Sequence, residues 1–431
     1  MLRVEEALAR VAAAAGAPSR RVERVALPDA LGRVLAADVA IDHDVPPFPR
    51  AMMDGFAVRA ADVLGPTAEL AVVGRVLAGA SFPRALAPGE AVAIMTGAPV
   101  PDGADAVVPV ERSVPAAGPR GAETRVRLEG PARAGHHVAR RAEQVAQGAV
   151  VARAGVTLSP ARLGVLAAAG CASVPVAAAP RVAVVCTGDE LVPVASRPAP
   201  SQIRDSNGHT LVAQARRAGA TARYDGPVRD DPAALRAAIL AALDADVVCL
   251  SGGVSMGEKD LVPDLLVACG VEPVFHRWAV KPGGPLWFGR RGTTLVFGLP
   301  GNPSASFVGF ELLVVPALRT RLGVPFAPRA TVPAKPRGAF PAPTARRHYV
   351  PVALDVAPGP VPCLVAEPVA WKGSGDPFGL AAATGLAVVL ETGAPPPPSC
   401  GHEGHPAAAG PLDAAGHVDV VPLHGLPWGA P

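Results

Sequence analysis

Residues 181–187 read RVAVVCT, and residues 246–253 read DVVCLSGG. Both are short apolar runs that end at small or polar residues, which is typical of strands buried on both faces of a parallel sheet. Between them lies DPAALRAAILAAL at 231–243, whose composition and length favour a helix. The same alternation of strand and helix extends over 178–325. This region is therefore predicted to be a three-layer α/β domain with a mostly parallel sheet.

The rest of the chain divides into three further parts by texture. Residues 1–45 and 136–177 contain helical patterns and are predicted to pack together as a mixed N-terminal domain. Residues 46–135 alternate short apolar runs with Gly and Pro turns, which predicts an inserted β-domain. Residues 326–431 show short β-like runs separated by prolines, which predicts a C-terminal β-domain with a barrel-like form.

Composition excludes several classes of function. The chain has 431 residues, half of them hydrophobic, and 40 Lys plus Arg against 37 Asp plus Glu. This balance gives no long-range field that would collect nucleic acid or an anionic membrane. The N-terminus reads as an amphipathic helix, no apolar run is long enough to span a bilayer, and the six cysteines form no CxxC pair. A cytoplasmic protein with reduced thiols is predicted.

Four loops follow the apolar strands of the 178–325 region, and each carries residues suited to chemistry. They read TGDE at 187–190, SGGVSMGEKD at 251–260, KPGG at 281–284 and LPGNP at 299–303. In an open parallel sheet the ligand lies beyond the carboxyl ends of the strands, so these loops are expected to meet. Glycines allow backbone to approach a ligand closely, and Glu258 and Asp260 could hold a hydrated Mg²⁺ that bridges phosphate oxygens.

Each of these loop residues also has a plain structural explanation. Asn302 before Pro303 can be a helix cap, as can Asp231 before Pro232, which leaves Asp230 as the freer carboxylate. Lys281 could equally be a solvated surface lysine. The CGHEGHP stretch at 400–406 is interpreted as a low-complexity loop and not as a metal site.

Eight motifs occur in order along the chain: MMDGFAVR, IMTGAPVP, TGDEL, IRDSNG, RDDP, SGGVSMGEKD, VKPGGP and LPGNPSAS. By these motifs the chain, between about residue 5 and residue 425, resembles molybdopterin molybdenumtransferase, the family of the gephyrin E domain. The resemblance implies a molybdopterin-binding α/β domain at 178–325. It also implies an elongated homodimer in which the insert of one subunit faces the central cleft of the other.

The activity implied by the resemblance is Mg²⁺-dependent insertion of molybdate into adenylylated molybdopterin, with release of AMP. The expected substrates are molybdate and adenylyl-molybdopterin, and other enzymes of the molybdenum-cofactor pathway are possible partners. Two alternatives stay open at this point. One is a pterin-binding scaffold that clusters a partner, and the other is a nucleotide-processing hydrolase that shares only the central domain. Tungstate could replace molybdate, because the two oxyanions are similar in size and charge.

The motif positions assign roles to individual residues. Asp54 and Thr96 are expected to come from the partner subunit, and Glu190, Asp230 and Asp260 to hold Mg²⁺. The catalytic set implied by the resemblance is Asp54, Thr96, Glu190, Asp230, Asp260 and Lys281. The ligand-binding set is Thr187, Gly188, Ser206, Asn207, Ser251, Gly252, Gly253, Ser255, Arg277, Pro300, Gly301, Asn302, Arg346 and Ser374.

The chain departs from the family pattern at several positions. Ala142-Glu143-Gln144 stands where Gly-Glu-Asp is usual, and Arg277 often corresponds to Lys. Gly284 stands where some members carry a further Lys, and an insertion at 394–411 lengthens a loop in the last domain.

Overall fold

The computed structural model describes residues 1–16, 21–116, 125–254, 261–359, 362–392 and 416–423. The insertion at 394–411 lies outside these residues. The chain separates into two compact units. The larger unit comprises Met1–Glu23, Gly32–Ala36 and Val176–Pro431, and the smaller unit comprises Arg24–Leu31 and Ala37–Pro175. The division into four domains stays a prediction.

The larger unit is organised around a six-stranded sheet. Its first four strands are parallel, and the last two run antiparallel to their neighbours. A two-residue turn containing Gly292, at φ 57°, joins two of the antiparallel strands. In spatial order the strands are Thr221–Val228, Arg181–Thr187, Val247–Ser251, Thr294–Leu299, Trp287–Arg291 and Glu272–His276.

Helices cover both faces of this sheet, as the unbroken apolar strands predict. Val182 and Val184 point into one hydrophobic core, and Ala183 and Val185 point into another. Successive side chains of a strand face opposite sides, so a strand buried on both sides is apolar at consecutive positions along its length. The first core receives helices Val4–Ala15, Asn207–Arg217 and Val315–Arg321, and the second receives Pro232–Ala242 and Val262–Ala268. The three-layer α/β prediction is confirmed.

The N-terminal helix differs from expectation in its packing. We expected it to pack with the helical segment near residue 160, but its buried residues join the core of the central sheet instead. Ala7, Val11 and Ala15 form a fully buried stripe of small side chains. Leu2 fixes the start of the chain, since its carbonyl accepts a hydrogen bond of 2.7 Å from the Ala279 amide.

A second sheet in the larger unit closes into a barrel. Strand Arg347–Ala357 pairs with Cys363–Pro368 on one side and with Gly385–Val389 on the other, which completes a ring of five strands. The prediction of a C-terminal barrel-like domain is confirmed. The strands in order are Val280–Lys281, Arg347–Ala357, Cys363–Pro368, Val332–Pro336, Val418–Pro422 and Gly385–Val389.

Shorter elements complete the larger unit. Helix Pro303–Gly309 continues through a π-helical turn, Phe310–Val314, into the helix that starts at Val315. Helix Pro377–Ala381 follows the barrel segment 371–376, and Leu191–Val192 pairs in parallel with Ile203–Arg204.

The smaller unit contains a six-stranded half-barrel sheet, which agrees with the predicted β insert. Its strands in order are Ala106–Pro109, Gly55–Val58, Glu90–Ile94, Thr67–Val76, Arg125–Glu129 and Ser113–Ala116. Ser159 caps helix Pro160–Ala168 by accepting a hydrogen bond from the Arg162 amide. The remaining elements are strands Val22–Ala26, Val39–Ala40, Arg50–Ala51, Val138–Ala139, Val150–Ala152 and Ser173–Ala177 and 3-10 turns Leu27–Ala30, Ala60–Asp62 and Val110–Arg112.

Among the described residues, no helix combines the length and apolar character needed to cross a bilayer. The described cysteines are free thiols, and burial raises the pKa of Cys249, which lies inside a central strand.

Candidate functional site

A cavity of about 1340 Å³ lies in the larger unit at the carboxyl end of the central sheet. Thr187 and Ser251 end two of its parallel strands, and Pro300 directly follows a third. All three line the cavity, together with segments 281–285 and 371–378. This is the position at which open parallel sheets bind ligands.

Most of the residues that sequence reasoning assigned to ligand or metal binding line this one cavity. They are Thr187, Gly188, Glu190, Ser206, Asn207, Asp230, Ser251, Gly252, Gly253, Lys281, Pro300, Gly301, Asn302, Arg346 and Ser374.

The other assigned residues lie elsewhere. Arg277 is exposed in a turn with φ 74° and is not part of the cavity lining. Asp54 and Thr96 belong to the smaller unit. Ser255 and Asp260 lie outside the described residues, so their assignments stay predictions.

A buried network of hydrogen bonds, formed by Asp205, Tyr224, Asn207 and Ser251, backs the cavity. Asp205 is only 2% exposed, and its carboxylate accepts hydrogen bonds from the Asn207 amide at 2.9 Å, from the Gly208 amide and from the Tyr224 hydroxyl. Burial and this hydrogen bond raise the pKa of Tyr224. The Asp205 side chain therefore caps helix Asn207–Arg217, although Ser206 directly precedes the first helical residue and its side chain makes no capping bond.

The same network ties two strand ends to the start of helix Asn207–Arg217 through Asn207. Its side-chain amide donates to Ser251 Oγ at 2.9 Å and to the Gly301 carbonyl at 2.7 Å. Ser251 Oγ in turn donates to the Pro300 carbonyl at 3.3 Å. Because these donors are already used, Asn207 and Ser251 shape the cavity wall more than they offer hydrogen bonds to a ligand.

The backbone conformation and close packing at position 252 require a glycine. Its φ is 100°, and a Cβ there would lie 2.3 Å from the Thr187 carbonyl oxygen. The Gly252 amide donates to the Leu299 carbonyl at 3.2 Å, so it is not available to a ligand, contrary to our expectation for this loop. Gly253, at φ 63°, continues the same left-handed turn.

The two adjacent aspartates of the RDDP motif lie in different surroundings and have different hydrogen-bond partners. Asp231 accepts a hydrogen bond of 2.8 Å from the Ala234 amide and caps helix Pro232–Ala242, as predicted. Asp230 instead lines the cavity and accepts a hydrogen bond from Thr187 Oγ1 at 2.5 Å. The Thr187 hydroxyl thus holds a carboxylate at the edge of the sheet.

Three ionic groups in the cavity, Glu190, Lys281 and Arg346, have neither a hydrogen-bond partner nor an ionic partner in the described part of the chain. None of these side chains forms a hydrogen bond or an ion pair with the residues that the structure describes. We call them the unpaired charges. A Cβ on Gly284 would lie 3.6 Å from Arg346 Nη1, so the guanidinium lies beside the position where some relatives were expected to carry Lys.

His348 lies behind the two cations and is buried. It pairs with Lys281 in the register of the barrel, and its Nε2 lies 2.9 Å from Thr344 Oγ1. Burial, followed by the charges of Lys281 and Arg346, lowers the pKa of His348. The imidazole is therefore neutral near pH 7.

The barrel contributes one wall of the cavity, and it is joined to the central sheet by hydrogen bonds. Asn302 occupies the N-cap position of helix Pro303–Gly309, but its side chain does not cap the helix. It donates to Ser374 Oγ at 2.9 Å instead, and the Ser304 amide donates to the Ser374 carbonyl at 3.0 Å. Ser374 therefore reaches the cavity, as the resemblance implied.

The smaller unit holds a separate polar pair. Both the amide and the hydroxyl of Thr96 donate to Asp54 Oδ1 at 2.7 Å. These bonds, the hydroxyl first, lower the pKa of the Asp54 carboxyl. The pair is exposed, so a preformed carboxylate with free lone pairs faces solvent.

Sequence reasoning gave no ligand role to several residues of the lining, among them Arg204, Trp371 and Phe378. Arg204 immediately precedes Asp205 in the IRDSNG motif, so its position was a usable signal. The two aromatic residues flank the KGSGDP segment that carries Ser374. They follow no strand of the parallel sheet, so the strand pattern of the sequence does not predict that they line the cavity.

Comparison with known proteins agrees with this geometry. Residues 2–170 match the family described as MoeA N-terminal region (domain I and II), and residues 183–320 match the one described as probable molybdopterin binding domain. The chain is 37% identical to molybdopterin molybdenumtransferase 2 of Mycobacterium tuberculosis over 349 residues, 78% of this chain and 84% of that protein. It belongs to the molybdopterin molybdenumtransferase family.

Other members of the molybdopterin molybdenumtransferase family are similarly close. The molybdopterin molybdenumtransferase of Bacillus subtilis is 39% identical over 305 residues, which is 70% of each chain. The crystal structure of a molybdopterin biosynthesis MoeA protein from Pyrococcus horikosii superposes with a TM-score of 0.77 at 31% identity, covering 99% of this chain and 100% of that one. The chain is thus an enzyme of molybdenum cofactor biosynthesis.

Proposed function

We propose that this enzyme inserts molybdate into adenylylated molybdopterin and releases AMP, with Mg²⁺ bound. One observation carries the proposal: the unpaired charges Glu190, Lys281 and Arg346 lie in one cavity at the ends of parallel strands. An ionic group without a partner in the protein gains most from a charged ligand. The names of the relatives supply the pterin as the class of ligand.

The volume of the cavity fits a large ligand. At about 1340 Å³ it exceeds the 300–1,000 Å³ that is usual for sites that bind drug-sized molecules. A pterin joined through a diphosphate to adenosine has a size that suits this space. Lys281 and Arg346 are the described cations of the cavity that come from the barrel side, and we assign the diphosphate to them.

The donors available to Mg²⁺ fit an open site. Glu190 and Asp230 both line the cavity, and the described residues contain no cluster of three or more His, Cys, Asp or Glu side chains that would form a closed cage. Mg²⁺ in phosphate sites is usually held by one or two carboxylates, with phosphate and water completing its shell. We assign it to Glu190 and Asp230, with Asp260 as a third ligand by motif position. When bound, the ion neutralises charge on the phosphate oxygens.

The reaction that we infer breaks the anhydride bond between the two phosphorus atoms. Water adds to one phosphorus, the bridging oxygen leaves with the other, and AMP is one of the two products. Lys281 and Arg346 would stabilise the negative charge that builds up on the phosphates, because preorganised cations act most strongly where charge develops. Thr187 keeps the Asp230 carboxylate in place through its 2.5 Å hydrogen bond.

We further propose that the enzyme works as a homodimer, in which Asp54 and Thr96 of the partner subunit complete the cleft. The Thr96 bonds hold the Asp54 carboxyl ionised and oriented toward solvent, which suits a group that acts on another chain. A cytoplasmic location and contact with other enzymes of the pathway belong to the same proposal.

The proposal is tested by mixing the purified protein with adenylyl-molybdopterin, Mg²⁺ and molybdate, and measuring AMP. Wild-type protein is expected to release AMP, and Lys281→Ala is expected to reduce the rate by about tenfold to a hundredfold through lost charge stabilisation. Arg216→Ala, at an exposed helix position, is the matched control. AMP release by Lys281→Ala at the wild-type rate would remove the assignment, and no AMP release by the wild type would remove the function.

A further inference from the structure

Two aromatic side chains, Trp371 and Phe378, line the cavity, and neither has a role in the function proposed above. Trp371 is half-buried, and Phe378 is 86% exposed. A single exposed Phe is common on protein surfaces. Here, however, the exposed ring lines a ligand-sized cavity together with a second aromatic residue.

The fold places these two residues next to each other. Gly379 directly follows Phe378, and a Cβ on Gly379 would lie 2.9 Å from Trp371 Cα and 2.7 Å from the Ala370 carbonyl oxygen. The start of helix Pro377–Ala381 therefore packs against the backbone of Trp371. Only a glycine permits this close approach, which brings the two aromatic residues onto one stretch of wall.

Hydrogen bonds hold this stretch in place. Trp371 Nε1 donates to Ser304 Oγ at 3.1 Å, and Ser304 Oγ donates to the Asp376 carbonyl at 3.0 Å. The Asp376 carboxylate accepts from the amides of Phe378 at 3.0 Å and Gly379 at 3.1 Å. A wall fixed in this way loses little entropy when a ligand binds to it.

We propose that Trp371 and Phe378 form a stacking subsite for a planar bicyclic heterocycle, while the unpaired charges bind the phosphates of the same ligand. The inference rests on the proposed function and specifies how its ligand is oriented. Flat ring systems stack on aromatic side chains whatever their pattern of hydrogen-bonding groups, because every such ring has a π-face. Adenine and pterin share this chemistry.

Isothermal titration tests the subsite with AMP, with neopterin and with ribose 5-phosphate, which lacks a base. Phe378→Ala is expected to bind AMP or neopterin about tenfold more weakly and ribose 5-phosphate as the wild type does. Phe378→Trp is expected to restore the affinity, since it restores an aromatic face. Weakening of AMP alone assigns the subsite to adenine, and weakening of neopterin alone assigns it to the pterin.

The control is Leu240→Ala, which removes an exposed apolar side chain from helix Pro232–Ala242 and should change none of the affinities. The inference is overturned if Phe378→Ala binds AMP and neopterin like the wild type, or if it weakens ribose 5-phosphate equally. Binding needs no turnover, so this result is separate from the test of the proposed function. A wild-type protein that releases no AMP can still show the stacking effect, and the converse also holds.

Discussion

The buried network and the unpaired charges lie around one cavity, but they differ in whether their polar groups have partners in the protein. In the network, Asp205, Asn207 and Ser251 form hydrogen bonds with each other and with neighbouring backbone. Glu190, Lys281 and Arg346 have no such bonds within the described chain. Polar groups that are satisfied within the protein stabilise the fold, whereas ionic groups without partners are available to a ligand.

This difference separates residues that the sequence motifs group together. Asn207 and Arg346 both carry ligand-binding assignments, but the side-chain N–H groups of Asn207 already donate within the protein, whereas the Arg346 guanidinium forms no bond with the described residues. Substitutions in the network should therefore change stability, and substitutions among the unpaired charges should change binding.

The largest stability effect is expected at Asp205. Asp205→Ala leaves the Tyr224 hydroxyl and the Asn207 and Gly208 amides without their acceptor in a buried place, which should cost about 3 kcal/mol. Urea unfolding followed by tryptophan fluorescence measures this loss. The control is Asp225→Ala, an exposed position next to Tyr224 on strand Thr221–Val228, and this substitution should leave stability nearly unchanged. Equal stability of the two variants would mean that the network is not structural.

A smaller effect sharpens the comparison within one motif. Asp231→Ala removes a helix cap and should cost about 1 kcal/mol of stability while leaving AMP release unchanged. Asp230→Asn should lower AMP release and leave stability nearly unchanged, because this carboxylate is exposed and lines the cavity. Urea unfolding and AMP release are measured for both variants. A loss of activity only in Asp231→Ala would exchange the two roles.

The smallest effect is a pH dependence from His348. Its pKa in the folded protein lies below the ordinary value of 6.5, because burial and the cations Lys281 and Arg346 disfavour the charged form. As the pH falls below 6.5, the unfolded chain binds this proton first, so stability should fall with pH until the folded pKa is reached. Thermal unfolding is measured at pH 7.5 and pH 5.5. The difference in stability between the two pH values should be smaller for His348→Gln than for the wild type. An unchanged difference would exclude His348 as its source.

Much of the fold was predictable because its signals are local. The unbroken apolar run at 182–186 predicts burial on both faces, and the turn residues around it mark the strand ends. The packing of the N-terminal helix was not predictable, because its buried stripe of small residues fits more than one core. Only the tertiary fold selects the partner.

The site was predictable where a residue ends a central strand, as Thr187 and Ser251 do. It was less predictable where hydrogen bonds decide the role. The sequence cannot show that the Gly252 amide is already bonded to Leu299, or that Asp205 and not Ser206 caps its helix. Trp371 and Phe378 come from the barrel, and only the fold brings them to the strand ends.

The central claim is that the unpaired charges bind a diphosphate, and titration of the wild-type protein with pyrophosphate in the presence of Mg²⁺ tests it most directly. The account predicts saturable binding to the wild type, about tenfold or more weaker binding to Lys281→Ala and to Arg346→Ala, and unchanged binding to Asp225→Ala. Stability should be the same in all four proteins. Equal affinity of the wild type and both cation variants for pyrophosphate would contradict it.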